Sequence, residues 1–250
     1  MTHYKCPICN SISYLHDVVD FNKSCEELNG NFLPRSGTPI YYTICSTCNF
    51  LFAPDFMNWT NDEFHSRIYN EDYAIVDPDY LNKRPEFNFS LLERFFKNVK
   101  NVITHLDYGG GNGSLSKKLV EAGWNSKSYD PFSETENNIS NIEKFNLITA
   151  FEVFEHAPNP NLLMEKIINL INDDGVVILS TLINDGNIKV NQRLDWWYAS
   201  PRNGHVSLFS LKSLKILGEK YNFNFASMGV GYHVYFKKYP SWARSLTEEL

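Results

Sequence analysis

From Val102 onward, short apolar runs alternate with stretches whose apolar residues recur at helical spacing. Val102 to Asp107, Asn146 to Phe151 and Val176 to Thr181 read as strands, and Ser114 to Ala122 and Asn161 to Ile171 as helices. A further strand pair closes the pattern between Gly229 and Phe236. This alternation predicts an α/β fold, doubly wound and Rossmann-like, with a largely parallel sheet and helices on both faces. Ligands of such sheets bind beyond the carboxyl ends of the strands. Upstream the spacing changes. Phe87, Leu91, Leu92 and Phe95 mark one face of a helix, extended by Val99. Tyr69, Tyr73 and Tyr80 lie in an acidic, aromatic stretch with Asp77-Pro78 that reads as an irregular lid or connector. Before Asn58, Tyr41-Tyr42-Thr43-Ile44 and Asn49-Phe50-Leu51-Phe52 read as the strands of a hairpin. The pattern thus divides the chain into a small module over 1–57, a helical connector or lid over 58–100 and a main domain over 101–250.

Composition narrows the class. The 250 residues are 43% hydrophobic and 15% aromatic, which argues against disorder. Apolar runs such as Val176-Val177-Ile178-Leu179 fall far short of the roughly 20 residues that span a bilayer. No apolar stretch precedes Cys6, so no secretory leader is read, and a soluble cytoplasmic protein is expected. Lys and Arg number 23 against 29 Asp and Glu, a net charge of −6. That balance argues against a partner held mainly through phosphates, since such affinity comes from dense Lys/Arg contacts.

The cysteines fall at 6, 9, 25, 45 and 48, and none follows. Cys6-Pro-Ile-Cys9 and Cys45-Ser-Thr-Cys48 are two CxxC pairs separated by 35 residues. A CxxC turn directs two sulfurs at one metal, and two turns complete a tetrahedral thiolate site, most naturally for zinc. About fifty residues supply little apolar core, and a metal cross-link offsets that shortage. The competing reading is that the four thiols are small buried hydrophobes. Cys25, beside Glu26 and Glu27, reads as a spare thiol.

The strand Thr104-His105-Leu106-Asp107 runs into Tyr108-Gly109-Gly110-Gly111-Asn112-Gly113 and then into a helix. Glycines there permit a tight turn and close approach of a ligand to the backbone. A dinucleotide fingerprint needs glycine three residues after Gly111, where Ser114 stands. The spacing is D-x-G-x-G-x-G instead, and it resembles motif I of class I S-adenosylmethionine-dependent methyltransferases. Asp130, ending Ser128-Tyr129-Asp130-Pro131, matches the second-strand acid that in the family accepts the cofactor's ribose hydroxyls. Asp107 matches the first-strand acid held near the cofactor's ammonium. Phe145 to Pro160 contains Glu152-Val153-Phe154-Glu155-His156 and a following Pro160. It resembles the fourth-strand signature of the small-molecule branch of the family. The resemblance extends over about residues 85–236. It implies that Gly109, Gly111, Gly113, Asp107, Asp130, Phe151 and Glu152 bind S-adenosylmethionine. Only fourteen residues separate Asp130 from Phe145, too few for the usual helix, third strand and loop. Asn137, Asn138 or Ser140 are left as candidates for the adenine amine.

His156 directly follows the fourth strand, where the family presents the methyl group. An imidazole can take a proton from a hydroxyl as it is alkylated. His205, in Asn203-Gly204-His205-Val206, matches a family segment in which a His precedes an apolar pair. The expectation is His156 as base and His205 as a positioning donor, with Glu152 or Glu155 orienting one ring. Trp196, Trp197 and Tyr198 either cover the substrate mouth or pack against the N-terminal module. His3, His16 and His65 read as surface groups, His105 as a satisfied core residue, and His233 is ambiguous. A Cys-rich module with this core resembles enzymes that O-methylate sugars, nucleotide-linked sugars or related phosphorylated acceptors in bacterial surface-polysaccharide (capsule) biosynthesis. Two other readings compete. A zinc-ribbon RNA methyltransferase is disfavoured by the −6 charge and the lack of a basic stripe. A non-catalytic, cofactor-binding regulator is disfavoured by the intact glycine loop and Asp130. The expected partner is a small-molecule acceptor, with no nucleic acid and no membrane segment; the pattern does not address oligomeric state.

Overall fold

The computed structural model describes residues 3–79, 83–131, 143–189 and 191–246. Tyr80, Asn137, Asn138 and Ser140 lie outside the described residues. In chain order the strands are β1 (Tyr4–Lys5), β2 (Ile12–Asp20), β3 (Pro39–Cys45), β4 (Leu51–Phe52), β5 (Thr104–Tyr108), β6 (Asn125–Tyr129), β7 (Phe145–Phe151), β8 (Ile171–Ser180), β9 (Ser207–Leu208), β10 (Asn224–Met228) and β11 (Tyr232–Phe236). The helices are α1 (Asn61–Arg67), α2 (Tyr73–Val76), α3 (Lys83–Phe96), α4 (Ser114–Glu121), α5 (Pro160–Leu170) and α6 (Leu211–Lys220). No helix among the described residues is long and apolar enough to cross a membrane.

The chain forms two compact units. One comprises 1–78, 155–161 and 182–217; the other comprises 79–154, 162–181 and 218–250. This differs from the contiguous division expected at 57 and 100, and strand pairing is the reason. β4 pairs antiparallel with β9, Leu51 facing Leu208 and Phe52 facing Ser207, so a late segment completes the N-terminal sheet. The connector is divided as well: α1 and α2 belong to the first unit and α3 to the second.

Within the first unit the sheet order among described residues is β1-β2-β3-β4-β9, antiparallel throughout. The hairpin expected around Cys45 to Cys48 is present as β3 and β4, with Thr43 opposite Phe52 and Ile44 opposite Leu51. β2 had no sequence signal, because its alternation is blurred by partly exposed residues on both faces. Aromatic rings fill the interior, Phe50 lying 5.4 Å from Phe52 and 4.9 Å from Phe209. Each such contact contributes about 0.5–1.5 kcal/mol beyond area burial. α1 begins with a capping box between Thr60 and Glu63.

In the second unit the order is β10-β11-β8-β7-β5-β6. β6, β5, β7 and β8 run parallel, and β11 and β10 return antiparallel. The expected parallel arrangement is therefore present over β6, β5, β7 and β8. Leu147, Val176, Ile178, Val234, Phe96 and Trp124 belong to one buried cluster. The buried face of α3 is carried by Leu92, Phe95 and Phe96, while Phe87 is 58% exposed and stands on the edge of the expected stripe. His105 is a satisfied core residue, as expected. Its Nδ1 meets Ser126 Oγ at 2.7 Å and its Nε2 meets Thr149 Oγ1 at 3.0 Å, and burial lowers its pKa to about 3.

Candidate functional site

At the carboxyl end of β5 the chain turns through Gly109, Gly111 and Gly113, with φ of 75°, 56° and 75°. These left-handed values are what glycine adopts without steric cost. The loop is tied back to the neighbouring strand: Gly109 N–H donates to Tyr129 O at 2.7 Å, and Gly111 N–H to Asp130 Oδ2 at 2.8 Å. Gly110 has no room for a side chain, since a Cβ there would lie 2.3 Å from Ser128 Oγ and 2.6 Å from Asp107 Oδ2. The first-strand and second-strand acids are thus both held against the glycine backbone. Asp107 is buried and accepts a hydrogen bond from Thr149 Oγ1 at 2.9 Å. Its pKa is raised to about 7, chiefly by burial, with the Thr149 bond opposing the shift and the Asp130 charge adding to it.

Glu152, one residue past β7, has φ of 53°. A non-glycine residue there costs about 1–2 kcal/mol, and hydrogen bonds to Ser180 hold it. Its N–H reaches Ser180 Oγ at 2.9 Å, and Ser180 Oγ–H donates to Glu152 Oε1 at 2.9 Å. Such strain clusters at functional positions. Phe151 beside it packs on Tyr232, ring centroids 5.9 Å apart. Burial lifts the Tyr232 hydroxyl to about 12, with the Glu152 charge adding to it and Arg84 opposing.

The first unit brings the two CxxC pairs together. Cys6 Sγ lies 3.6 Å from Cys48 Sγ, and Cys9 Sγ lies 3.4 Å from Cys45 Sγ and 3.5 Å from Cys48 Sγ. Four thiolates bound tetrahedrally at about 2.3 Å would stand about 3.8 Å apart, so the donor set fits zinc. Each knuckle closes on an Asn with positive φ, Asn10 at 61° and Asn49 at 57°. The N–H groups of Thr47 and Cys48 point at Cys45 Sγ, 3.4 and 3.5 Å away. Donors of that kind suit a thiolate. The bond from Cys48 lowers the Cys6 pKa to about 6, and the same contact pushes the Cys48 thiol up. Later segments of the same unit hold the knuckle carbonyls: Asn161 Nδ2 on Pro7 O, Asn184 Nδ2 on Asn49 O and Ser210 Oγ on Cys48 O.

The same unit gathers Glu155, His156 and His205, whose ligand-capable atoms lie within 4.8 Å of one another. The two imidazoles meet edge to face, centroids 4.9 Å apart. Tyr198 O–H donates to Glu155 Oε1 at 2.5 Å, and His205 Nδ1 lies 2.8 Å from Tyr198 O. Tyr42 O–H reaches His205 O at 2.6 Å, and Val206 N–H reaches Glu155 O at 2.9 Å. Cys25, read as a spare thiol, has Sγ 3.8 Å from His205 Nδ1. Trp196 and Tyr198 are largely buried, and Trp197 is half-buried with its ring 5.4 Å from that of Tyr198. Sequence reasoning missed three neighbours. Tyr69 lies with its ring 6.1 Å from His156, Gly204 would press a Cβ to 3.1 Å from His156 Nδ1, and Arg202 anchors the loop through Ile68 O at 3.0 Å. Only Gly204, preceding His205 in a polar loop, carried a readable hint. His233 is buried with Nδ1 2.9 Å from Ser227 Oγ and Nε2 3.1 Å from Thr181 O, which makes it a structural residue of β11.

A family profile described as a methyltransferase domain matches residues 80–227. A segment of 44 residues, 18% of the chain, is 43% identical to a ubiquinone biosynthesis O-methyltransferase of Glaesserella parasuis serovar 5 (strain SH0165), and spans 19% of that enzyme. Among solved structures, the chain is similar to the 1,6-didemethyltoxoflavin-N1-methyltransferase of Burkholderia thailandensis, bound to its acceptor and S-adenosylhomocysteine. That likeness has a TM-score of 0.50 at 14% identity and covers 81% of this chain and 96% of that one. The magnesium protoporphyrin IX methyltransferase of Synechocystis PCC 6803 gives a TM-score of 0.41 at 14% identity, over 73% and 95% of the two chains.

Proposed function

Since the chain belongs to the methyltransferase-domain family and is a class I S-adenosylmethionine-dependent methyltransferase, we propose that it methylates a hydroxyl of a small-molecule acceptor. When bound, S-adenosylmethionine supplies an electrophilic sulfonium methyl group. The observation that carries the reading is the loop at the end of β5, where Gly111 N–H holds Asp130 and no Cβ fits at Gly110. Asp130 offers a carboxylate to a vicinal diol, and the ribose is one. Asp107, Phe151 and Glu152 complete the cofactor set, Asp107 becoming fully charged beside a cofactor ammonium.

Proton removal from the acceptor falls to the His156/His205 pair. His156 serves as base and His205 as a positioning donor, with Glu155 and Tyr198 fixing the cluster. Trp196, Trp197 and Tyr198 are assigned to the acceptor side. Their aromatic character suits the apolar face of a sugar ring, and the sequence resemblance favours a sugar or nucleotide-linked sugar of a surface-polysaccharide pathway. The Cys6, Cys9, Cys45 and Cys48 cluster is assigned to structural zinc, kept reduced in a cytoplasmic setting.

Transfer of labelled methyl from S-adenosylmethionine to a panel of sugar, nucleotide-sugar and aromatic hydroxyl compounds tests the reading. His156→Ala should lower turnover about 10²–10⁴-fold with cofactor affinity unchanged, and His205→Ala should raise the acceptor KM more than it lowers kcat. Full activity in both variants would remove the pair from the acceptor site.

A further inference from the structure

We propose that the loop of residues 24–33 and helix α2 form a binding site for a neutral, polyhydroxylated ring of monosaccharide size. The two segments line a cavity of about 270 Å³. A cavity of about 150 Å³ holds a benzene ring, so this one has room for a six-membered ring and its substituents. Ser24, Glu26 and Asn31 supply its polar groups, and Phe32, Leu33 and Ile75 its apolar ones. All belong to the unit that carries the cysteines.

The polar groups are arranged for a ligand that donates. Ser24 is the N-cap of the short helical turn Cys25–Asn29, yet its side chain makes no capping bond. A serine at that place ordinarily bonds a backbone N–H of the first turn. Here the hydroxyl is buried and has no hydrogen-bond partner among the described residues. A buried hydroxyl is costly in that state, and a hydroxyl of the ligand would complete it. Glu26 is already held in place. Its Oε1 accepts from Asn29 Nδ2 at 3.2 Å, and its Oε2 from Asn31 Nδ2 at 3.1 Å. Each carboxylate oxygen can accept twice, so each keeps a place for one donor of a vicinal diol. The same charge selects against anionic ligands. Phe32, 71% exposed, leaves most of its ring open to the C–H face of a pyranose.

The walls are fixed by hydrogen bonds. Asn31 N–H on Glu26 O at 3.1 Å and Asn22 Nδ2 on Pro34 O at 2.7 Å hold the loop at both ends. Buried Asn203 joins loop to helix: its Oδ1 accepts from Cys25 N–H at 2.9 Å, and its Nδ2 donates to Val76 O at 2.8 Å. Cys25, between Ser24 and Glu26, brings its sulfur to 3.8 Å from His205 Nδ1. The cavity thus shares a segment with the residue assigned to position the acceptor. That the bound ring is part of the acceptor rests on the proposed function, whereas the site itself does not.

The test uses isotope-labelled full-length chain with its zinc bound, titrated with a panel of neutral methyl glycosides and followed by amide NMR shifts. At least one glycoside should shift the amides of Ser24, Glu26, Asn31 and Val76 saturably at low-millimolar concentration, the range that about a dozen ligand atoms reach. Phe32→Ala, at an exposed position, and Glu26→Gln should each weaken that binding at least about fivefold, with zinc content and the remaining amides unchanged. Ser24→Ala should weaken it without lowering the thermal midpoint; lost stability with unchanged binding would overturn the role given to that hydroxyl. No saturable shift with any glycoside overturns the proposal, and so do equal affinities in wild type, Phe32→Ala and Glu26→Gln. Saturation by alkylammonium compounds alone would make this an amine site and overturn it as well. The two readings fail separately. Glycoside binding with full turnover in His156→Ala would keep this site and strike the histidine base, and no glycoside binding with lost turnover would do the opposite.

Discussion

In the parallel-sheet unit, Leu147, Val176, Ile178 and Val234 fill the interior with hydrocarbon, and the polar exceptions satisfy one another, as His105 does with Ser126 and Thr149. The unit carrying the cysteines is built on other terms. Its sheet is antiparallel, two of its strands have only two residues at the late pairing, and its buried groups include the thiols of Cys6, Cys45 and Cys48, together with Glu155, Arg202, Asn203 and His205. Both units are stabilised by area removed from water, and the second adds directional bonds among groups that are costly to bury unless they are paired. The difference teaches where the charged groups reside: the apolar unit holds Asp107 near the end of β5, while the other unit gathers Glu155, Arg202 and His205 in its interior.

Metal removal should separate the two most sharply. Structural zinc contributes about 10–16 kcal/mol in small thiolate modules. Chelation at neutral pH is therefore expected to abolish amide protection along β2 and β3 while β5, β7 and β8 keep theirs, as read by hydrogen exchange. Unchanged protection in β2 and β3 would mean that the four cysteines are packing residues, and the contrast between the units would lose its basis. A core truncation probes the other side. Leu147→Ala removes methyl groups from a fully buried position in β7 and should cost about 2–5 kcal/mol, read by denaturant titration. A cost below 1 kcal/mol would show that hydrocarbon packing is not what holds that sheet.

The parallel half was legible because β7 and β8 carry apolar runs, Leu147-Ile148 and Val176 to Leu179, and the glycine loop because its spacing differs from the dinucleotide pattern by one position. The positions that structure added have physical reasons for being silent. β2 is partly exposed on both faces, so its alternation is faint. β9 is a two-residue strand whose existence depends on β4, a pairing across more than 150 residues that no local pattern encodes. The division of the chain into interleaved units follows from that pairing, which is why a boundary near residue 57 was expected. At the candidate site, Glu155 and His156 stood out as a motif, but the part played by Tyr198 arises from its contacts: a hydroxyl on Glu155 and a carbonyl on His205. Cys25 was read as isolated because its neighbour His205 is 180 residues away.

The smallest expected effect concerns pH and Asp107, a buried acid of the parallel unit. Asp107 ionises near 3.8 when unfolded and near 7 when folded. The folded chain therefore binds a proton more tightly, and the stability this contributes is full below pH 3.8 and is lost as pH rises to about 7. Asp107→Asn should flatten that part of the stability profile of the cofactor-free chain, measured by thermal unfolding between pH 5 and 8. An identical slope in the variant would show that the carboxyl is ionised in the fold throughout.

The central claim is that the loop from Asp107 to Gly113, with Asp130, binds S-adenosylmethionine. Calorimetry with S-adenosylhomocysteine on the wild type and on Asp130→Ala tests it most directly. Hydrogen bonds to charged acceptors are worth about 1.5–3 kcal/mol each, so the account predicts one site per chain and at least tenfold weaker binding in the variant, with zinc content unchanged. Equal affinities for the two proteins, or no binding by the wild type, would contradict it.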